Sequence, residues 1–301
     1  MDRFEAMRVF CTVIEAGSFV AAADRLGQST TAVSRLVAQL EAHLNVRLLN
    51  RTTRRMQPTT EGFAYFERCT QLLADLEEAE AGIAGEARRP RGRLRLTAPI
   101  ALATLRLAPA FAAFSQQHPE ITLDIVLSDN VADFVDEGLD LAIRVGRVGS
   151  DNLVARHVAD TSLLIAASPG YLQRAGTPEH PEQLTQHACF TYSYSATGNQ
   201  WQFEAADGTP TSVRIGGPIN ANNGVLLAEM AAAGGGIVLA PCFILQPMIA
   251  SGRLRRVLPG WRLRQLPIHV VYPTRRHLSA KVQAMTAFLS DWFARHPATS
   301  A

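Results

Sequence analysis

Residues 17 to 36 read G-S-F-V-A-A-A-D-R-L-G-Q-S-T-T-A-V-S-R-L, and within this stretch the chain twice stops a helix and twice starts one. Ser18 is placed to cap V-A-A-A-D-R-L, which Gly27 ends. Ser29 or Thr30 can then cap a further helix, with Val33, Leu36 or Val37, Leu40 and Leu44 as its buried stripe. Upstream, Phe4, Met7, Val9, Phe10, Val13 and Ile14 recur at helical spacing until Gly17. Helix, glycine turn and helix make the helix-turn-helix pattern.

The helix after Gly27 opens on Ser29, Thr30, Thr31, Ser34 and Arg35. One reading is a well-capped helix whose hydroxyls face water. The other is a recognition helix entering the major groove of DNA, where hydroxyls reach base edges or phosphates and arginine takes either one bidentately. A helix start also favours phosphate oxygens. The following stretch, N-V-R-L-L-N-R-T-T-R-R-M-Q-P-T-T (45–60), decides for the second reading. Arg47, Arg51, Arg54 and Arg55 stand there with no acid between Glu41 and Glu61. The apolar run Val46 to Leu49 and the polar tip after it predict a small hairpin, a wing. A solvated loop has no need of that much uncompensated charge. Arg51, Thr52, Thr53 and Arg54 therefore join Ser29, Thr30, Thr31, Ser34 and Arg35 as expected DNA contacts.

Pro58, Thr59 and Thr60 announce a long helix to about Ala87, roughly 40 Å at ~1.5 Å per residue. Phe66, Cys69, Leu73, Leu76 and Ile83 lie on it at spacings of three, four or their sum, mostly among acids, so the stripe calls for a second copy of the chain. After R-R-P-R-G (88–92), strands alternate with helices: 93–98, 121–127, 140–145 and 162–167, with a helix over 101–114. That alternation predicts a largely parallel sheet. Further strands are expected at 188–192, 201–204, 213–216, 237–240, 254–258 and 268–272, and a last helix at 281–293. The expected organisation is a helical DNA-binding domain (1–60), a dimerising linker helix and hinge (61–90), and a two-lobed α/β domain (91–301). Lobe 1 spans about 91–161 and 267–301, lobe 2 about 162–266.

The 301 residues are 47% hydrophobic and 19% charged, fitting packed globular domains. A net charge of +2 identifies no partner by itself. The start, M-D-R-F-E-A-M-R, predicts no secretory leader, and no apolar stretch is long enough for a membrane helix. Cys11, Cys69, Cys189 and Cys242 lack zinc or disulfide spacing, and the eight histidines lack HxH or HExxH spacing. A reduced, cytoplasmic protein without metal or other cofactor is expected. Gly234–Gly236 reads as a turn, Cys189 and Cys242 read as packing residues, and no nucleophile elbow is present. The chain is thus expected not to be an enzyme. The alternative is a cytoplasmic small-molecule sensor or cryptic enzyme that uses the helix-turn-helix only for assembly.

The stretches A-G-S-F-V-A-A-A (16–23), A-V-S-R (32–35), L-E-A-H-L (40–44) and L-L-N-R-T-T-R (48–54) are similar, in content and order, to the N-terminal domain of LysR-type transcriptional regulators. P-E-I-T-L-D (119–124), E-G-L-D-L-A-I-R (137–144), A-S-P-G-Y-L (167–172), G-G-G-I-V-L-A-P (234–241) and V-Y-P-T-R-R-H-L-S-A-K-V (271–282) resemble the family's effector-binding half. The resemblance implies a winged helix-turn-helix, a linker helix, and a domain shaped like a periplasmic binding protein. It also implies a homodimer assembling into a homotetramer on double-stranded promoter DNA, with RNA polymerase as a further partner and a small molecule in the inter-lobe cleft. Two departures stand out. The family commonly has leucine where Gln28 stands, and often Gln-Pro or Pro-Ser where Thr30-Thr31 stand. Many relatives also place a serine or threonine for an effector carboxylate where this chain has Pro99, Ile100, Ala101 and Leu102.

In a two-lobed α/β unit, ligands bind beyond the carboxyl ends of the strands. Pro99, Ile100, Ala101, Leu102, Asn130, Tyr192, Tyr194, Asn222 and Asn223 are expected to line that site, with Arg144 as a counter-charge. Two helix starts and the tyrosines favour a partly aromatic or apolar carboxylate as co-inducer.

Overall fold

The structure is a computed structural model and describes residues 1–51, 56–83, 90–130, 138–148, 153–274 and 278–298; the side chains at 51, 71, 74, 75 and 77–83 are outside that description. The chain divides into two compact units, Met1–Arg88 and Arg89–Ala301.

The first unit opens with α1 (Arg3–Ala16), α2 (Phe19–Leu26) and α3 (Thr30–Leu44). Gly17, Ser18, Gly27 and Ser29 bound them as expected, and Asp2 and Asn45 supply the two outer ends. Asp2, Ser18 and Ser29 accept first-turn amides, while Gly17, Gly27 and Asn45 take the left-handed conformation at the ends. Val9, Phe10, Val13, Ala22, Ala23, Val33, Val37 and Leu40 form the core. β1 (Leu49–Arg51) and β2 (Met56–Pro58) pair antiparallel, which is the expected wing, and α4 (Thr60–Ile83) follows. Thr59 Oγ1 caps α4 by accepting the Gly62 amide at 2.9 Å. A Cβ on Gly62 would lie 1.9 Å from the Leu48 carbonyl oxygen, so only glycine lets α4 leave the wing at this angle.

The linker-helix stripe differs from expectation. Cys69 is fully buried, and Phe66 and Leu73 pack on the core of their own unit, with Tyr65 against Phe10. Leu72 is 50% exposed instead. The expected stripe thus serves its own unit at Phe66, Cys69 and Leu73, and the Ile83 side chain lies outside the described residues.

The second unit begins with β3 (Gly92–Ala98), the short helix α5 (Ile100–Leu102), a π turn (Ala103–Leu107) and α6 (Ala108–Gln117). β4 (Ile121–Leu127), β5 (Leu141–Val145) and the long β6 (Leu153–Ala167) follow. Next come α7 (Pro169–Ala175), β7 (Thr191–Tyr192), β8 (Gln200–Glu204), β9 (Pro210–Arg214), β10 (Asn220–Ala221) and α8 (Gly224–Ala232). β11 (Ile237–Pro241), α9 (Cys242–Ala250), β12 (Arg255–Arg256), β13 (Arg262–Leu263), β14 (Gln265–Pro273) and α10 (Ala280–Arg295) complete it.

The main sheet runs β11-β6-β14-β5-β3-β4, with β12 also on β6. Only β5, β3 and β4 are parallel; β14 returns antiparallel between β5 and β6, and β11 and β12 join β6 antiparallel. The sheet is therefore mixed, not largely parallel. β6 pairs with β14 over 153–162 and with β11 over 163–167, so one strand runs from one expected lobe into the other. The principal core joins α6 and α10 (Phe114, Phe288, Leu289) across the sheet to α8 and α9 (Leu227, Leu245). Lys281, the only lysine, is buried: its Nζ donates to Asp140 Oδ2 at 3.1 Å and to the Arg93 carbonyl at 2.7 Å. Gly236 fits where a Cβ would meet the Ala188 carbonyl at 2.3 Å, so Gly234–Gly236 is a turn in close contact with a neighbouring segment.

Candidate nucleic-acid interface and ligand cleft

Ser29 Oγ accepts the Ala32 amide at 3.2 Å and the Ser29 carbonyl takes that of Val33. The amides of Thr30 and Thr31, on the first turn, have no intrahelical acceptor to reach. Around them Ser29, Thr30, Thr31 and Arg35 are exposed, and Ser34 is half-buried. The front of α3 thus offers two amides, three exposed hydroxyls and a guanidinium on one convex end. That is a donor set suited to phosphate oxygens and base edges.

Glu41, which the sequence did not single out for a role, ties α3 to the wing. Its Oε1 accepts the amides of Leu48 and Leu49 at 2.9 and 3.0 Å, fixing the start of β1 against the recognition helix. Arg47 is exposed at the base of the wing. The Arg51 side chain and Thr52, Thr53, Arg54 and Arg55 lie outside the described residues.

In the second unit the carboxyl ends of parallel β3, β4 and β5 lie at one edge of the sheet. β7 and β10 are also parallel, ending at Tyr192 and Ala221. Pro99 is half-buried and Ile100 exposed at the first edge, and Asn130 is exposed beside them. Ala101 and Leu102 do not line it: both are buried in the main core, because the helix turns that face inward. Tyr192 and Tyr194 meet edge to face, with centroids 5.9 Å apart and planes at 87°. Asn222 is exposed, whereas Asn223 Oδ1 caps its own helix by accepting the Leu226 amide at 2.9 Å.

Arg144 is buried and already bonded, donating to the Ile143 carbonyl at 2.9 Å and the Asn130 carbonyl at 3.2 Å. It fastens the segment after β4 to β5. The charged group held at the end of β3 is Asp129, which the sequence reading missed. Its Oδ1 accepts the Ile100 amide at 3.1 Å, so an internal carboxylate fills the helix start expected to receive an effector's. The available signal was its position: S-D-N (128–130) follows directly on the carboxyl end of β4. Burial raises the Asp129 carboxyl above the ordinary range, outweighing the Ile100 amide and the Arg144 charge, which pull it down. Burial also raises the Tyr192 hydroxyl, with the Asp129 charge adding to the effect. The Asp129 charge, after β4, thus reaches Tyr192 at the end of β7.

Burial pushes the Cys189 thiol up to about 12, as for an inert packing residue. Among the described residues no three His, Cys, Asp or Glu side chains gather as a metal ion would require. No described helix is long and apolar enough to cross a membrane.

Comparison with known proteins agrees with both halves. Residues 4–63 match the bacterial regulatory helix-turn-helix protein, lysR family, and residues 87–294 match the LysR substrate binding domain. The chain is 35% identical to an HTH-type transcriptional repressor of Pseudomonas aeruginosa, over 99% of this chain and 94% of that one. It is 33% identical to the HTH-type transcriptional regulator CrgA of Neisseria meningitidis, covering 95% of this chain and 96% of that one. The structure of CrgA superposes with a TM-score of 0.60 over 95% of this chain and 97% of that one. The full-length Vibrio cholerae virulence activator AphB does so with a TM-score of 0.59 at 28% identity, over 96% and 98%. With a helix-turn-helix and wing ahead of an α/β ligand domain, and both halves matched in order, the chain belongs to the LysR family of transcriptional regulators.

Proposed function

We propose that this protein controls transcription by binding promoter DNA through the front of α3 and the wing, under the direction of a small molecule held at the strand ends of its α/β domain. The observation that carries this reading is the exposed first turn of α3, where Ser29, Thr30, Thr31 and Arg35 surround two amides that the helix leaves unbonded. A module used only for assembly gives those groups no task, which disfavours the sensor or cryptic-enzyme alternative.

Ser34, Arg35, Arg51 and Arg54 meet mainly phosphates in this reading, with Thr52 and Thr53 beside them, and Thr30 and Thr31 approach base edges. The active form is a homodimer that assembles into a homotetramer, so that two half-sites are engaged together. Contact with RNA polymerase follows from action at promoters. The effector is a small molecule. An acidic effector, favoured by the sequence, loses the helix start that Asp129 fills.

Selection of preferred sites from a pool of random duplexes tests the reading. Paired half-sites whose centres lie about one helical turn or a multiple of it apart are expected. Thr30→Val should change the preferred base at one position of each half-site, a discrimination of ~1–3 kcal/mol at most. Recovery of no common site from the pool would overturn the assignment.

A further inference from the structure

The ligand cleft has its anion positions already filled from within. At the start of α5 the acceptor is Asp129 Oδ1, on the Ile100 amide at 3.1 Å. At the start of α8 it is Asn223 Oδ1, on the Leu226 amide at 2.9 Å. Asn220 Oδ1, between them, takes the hydroxyls of Thr191 and Ser193, both at 3.1 Å. The nearby cation, Arg144, is buried and gives hydrogen bonds to two carbonyls. An effector carboxylate brought here would stand beside the like charge of Asp129, which costs affinity.

A cationic nitrogen meets the opposite situation. Asp129 is half-buried and takes a single hydrogen bond from the described residues, on one of its two carboxylate oxygens. Its raised proton affinity says that the Ile100 amide and the Arg144 field together do not replace the water it has lost. The Asp129 charge reaches Tyr192, which stands at 87° to Tyr194 and forms with it an aromatic corner. Aromatic faces attract ammonium groups, more strongly as water is excluded.

We propose that the cleft selects an effector bearing an ammonium or comparable cationic nitrogen, with Asp129 as its counter-charge and Tyr192 and Tyr194 as its aromatic wall. The inference rests on the reading of this cleft as the effector site. Asp129 is the specificity-determining residue: it excludes acids and rewards a donor cation. The body of the effector is small and apolar or flat, to lie against Ile100 and the tyrosine rings.

The test is a thermal-shift and calorimetric titration of the full-length protein with matched probes. Ethylamine, tetramethylammonium and 2-phenylethylamine are each compared with the carboxylate and the alcohol of similar size. At least one amine should raise the unfolding temperature of the wild type, and its matched carboxylate should not. Asp129→Asn keeps an acceptor for the Ile100 amide while removing the charge. It should weaken the binding amine by about 10-fold or more, the size of one charge-assisted hydrogen bond. Tyr194→Ala should weaken it by a smaller factor. Asp129→Asn should itself unfold no earlier than wild type at neutral pH, so lost binding cannot be put down to lost fold. Carboxylates that stabilise where amines do not, an amine shift that survives Asp129→Asn, or no response to any amine each overturns the proposal. Site selection on random duplexes is run on the same preparations. A common DNA site recovered without amine binding would sink the ligand class alone, whereas no DNA site would sink the regulatory reading itself.

Discussion

Gln28 Nε2 donates to Glu5 Oε1 at 3.4 Å, while the Oε1 of Gln28 itself is buried and takes no hydrogen bond from the described residues. A buried acceptor without a partner costs on the order of 1–3 kcal/mol. Gln28→Leu should therefore raise the stability of the first unit, by about 1 kcal/mol in denaturant unfolding once the weak Glu5 contact is subtracted. A loss of stability would show that the amide is satisfied in solution. Asp129 gives a pH-dependent counterpart. Its folded carboxyl is raised by burial, so the folded state holds that proton more tightly than the unfolded state. The stability this supplies is complete below the ordinary carboxyl range and is lost as pH rises through the raised value. Unfolding temperatures of wild type and Asp129→Asn should accordingly diverge from acid to neutral pH, with the variant gaining. A divergence of opposite sign would mean that the carboxylate is well solvated by its partners. Lys281 behaves as a structural charge. It is 6% exposed against Asp140 at 6%, so Lys281→Met should cost ~3–5 kcal/mol by leaving a buried carboxylate uncompensated. Equilibrium unfolding measures it, and a change under about 1 kcal/mol would place the pair in water.

Among the elements, α1 to α3 were legible because local chemistry alone delimits them: Gly17, Ser18, Gly27 and Ser29 each cap or stop a helix by their own backbone or hydroxyl. α4 was legible as a helix but not in its orientation. Phe66, Cys69 and Leu73 serve the core of the first unit, while Leu72 is left exposed one turn before Leu76, a face open to a second copy. Leu72→Glu with Leu76→Glu should give a folded monomer in light-scattering or sedimentation measurements, and one that binds promoter DNA poorly. A variant that stays dimeric would move the interface elsewhere. The wing depends on close approach at its exit. Gly62→Ala must displace the Leu48 carbonyl and with it the amides held by Glu41, so it should destabilise the first unit and weaken DNA binding together. The mixed sheet was not legible. β14 reads like any apolar strand, and its antiparallel insertion between β5 and β6 depends on pairing 265–273 with segments more than a hundred residues upstream, which no local pattern records.

For the molecule as a whole, the two units posed different problems to a reader of the sequence. The helix-turn-helix unit was legible through exposed polar chemistry at α3, where Ser29, Thr30, Thr31 and Arg35 are accessible. The strand ends of the α/β unit were less legible, because Asp129 takes the amide that the sequence left for a ligand. Ile100 to Leu102 looked like an apolar wall in sequence, yet two of those side chains belong to the core and the amide of the first is taken by Asp129. In the proposed function, α3 and the wing form a phosphate-neutralising surface on promoter DNA. The most direct measurement is the affinity of the full-length protein for a selected promoter duplex, titrated over salt concentration, for wild type and Arg35→Ala side by side. Wild type should lose affinity steeply and linearly on a log–log scale, and Arg35→Ala should bind all sequences more weakly with a slope lower by ~1. Equal slopes and equal affinities for the two proteins, or an affinity that does not respond to salt, would contradict it.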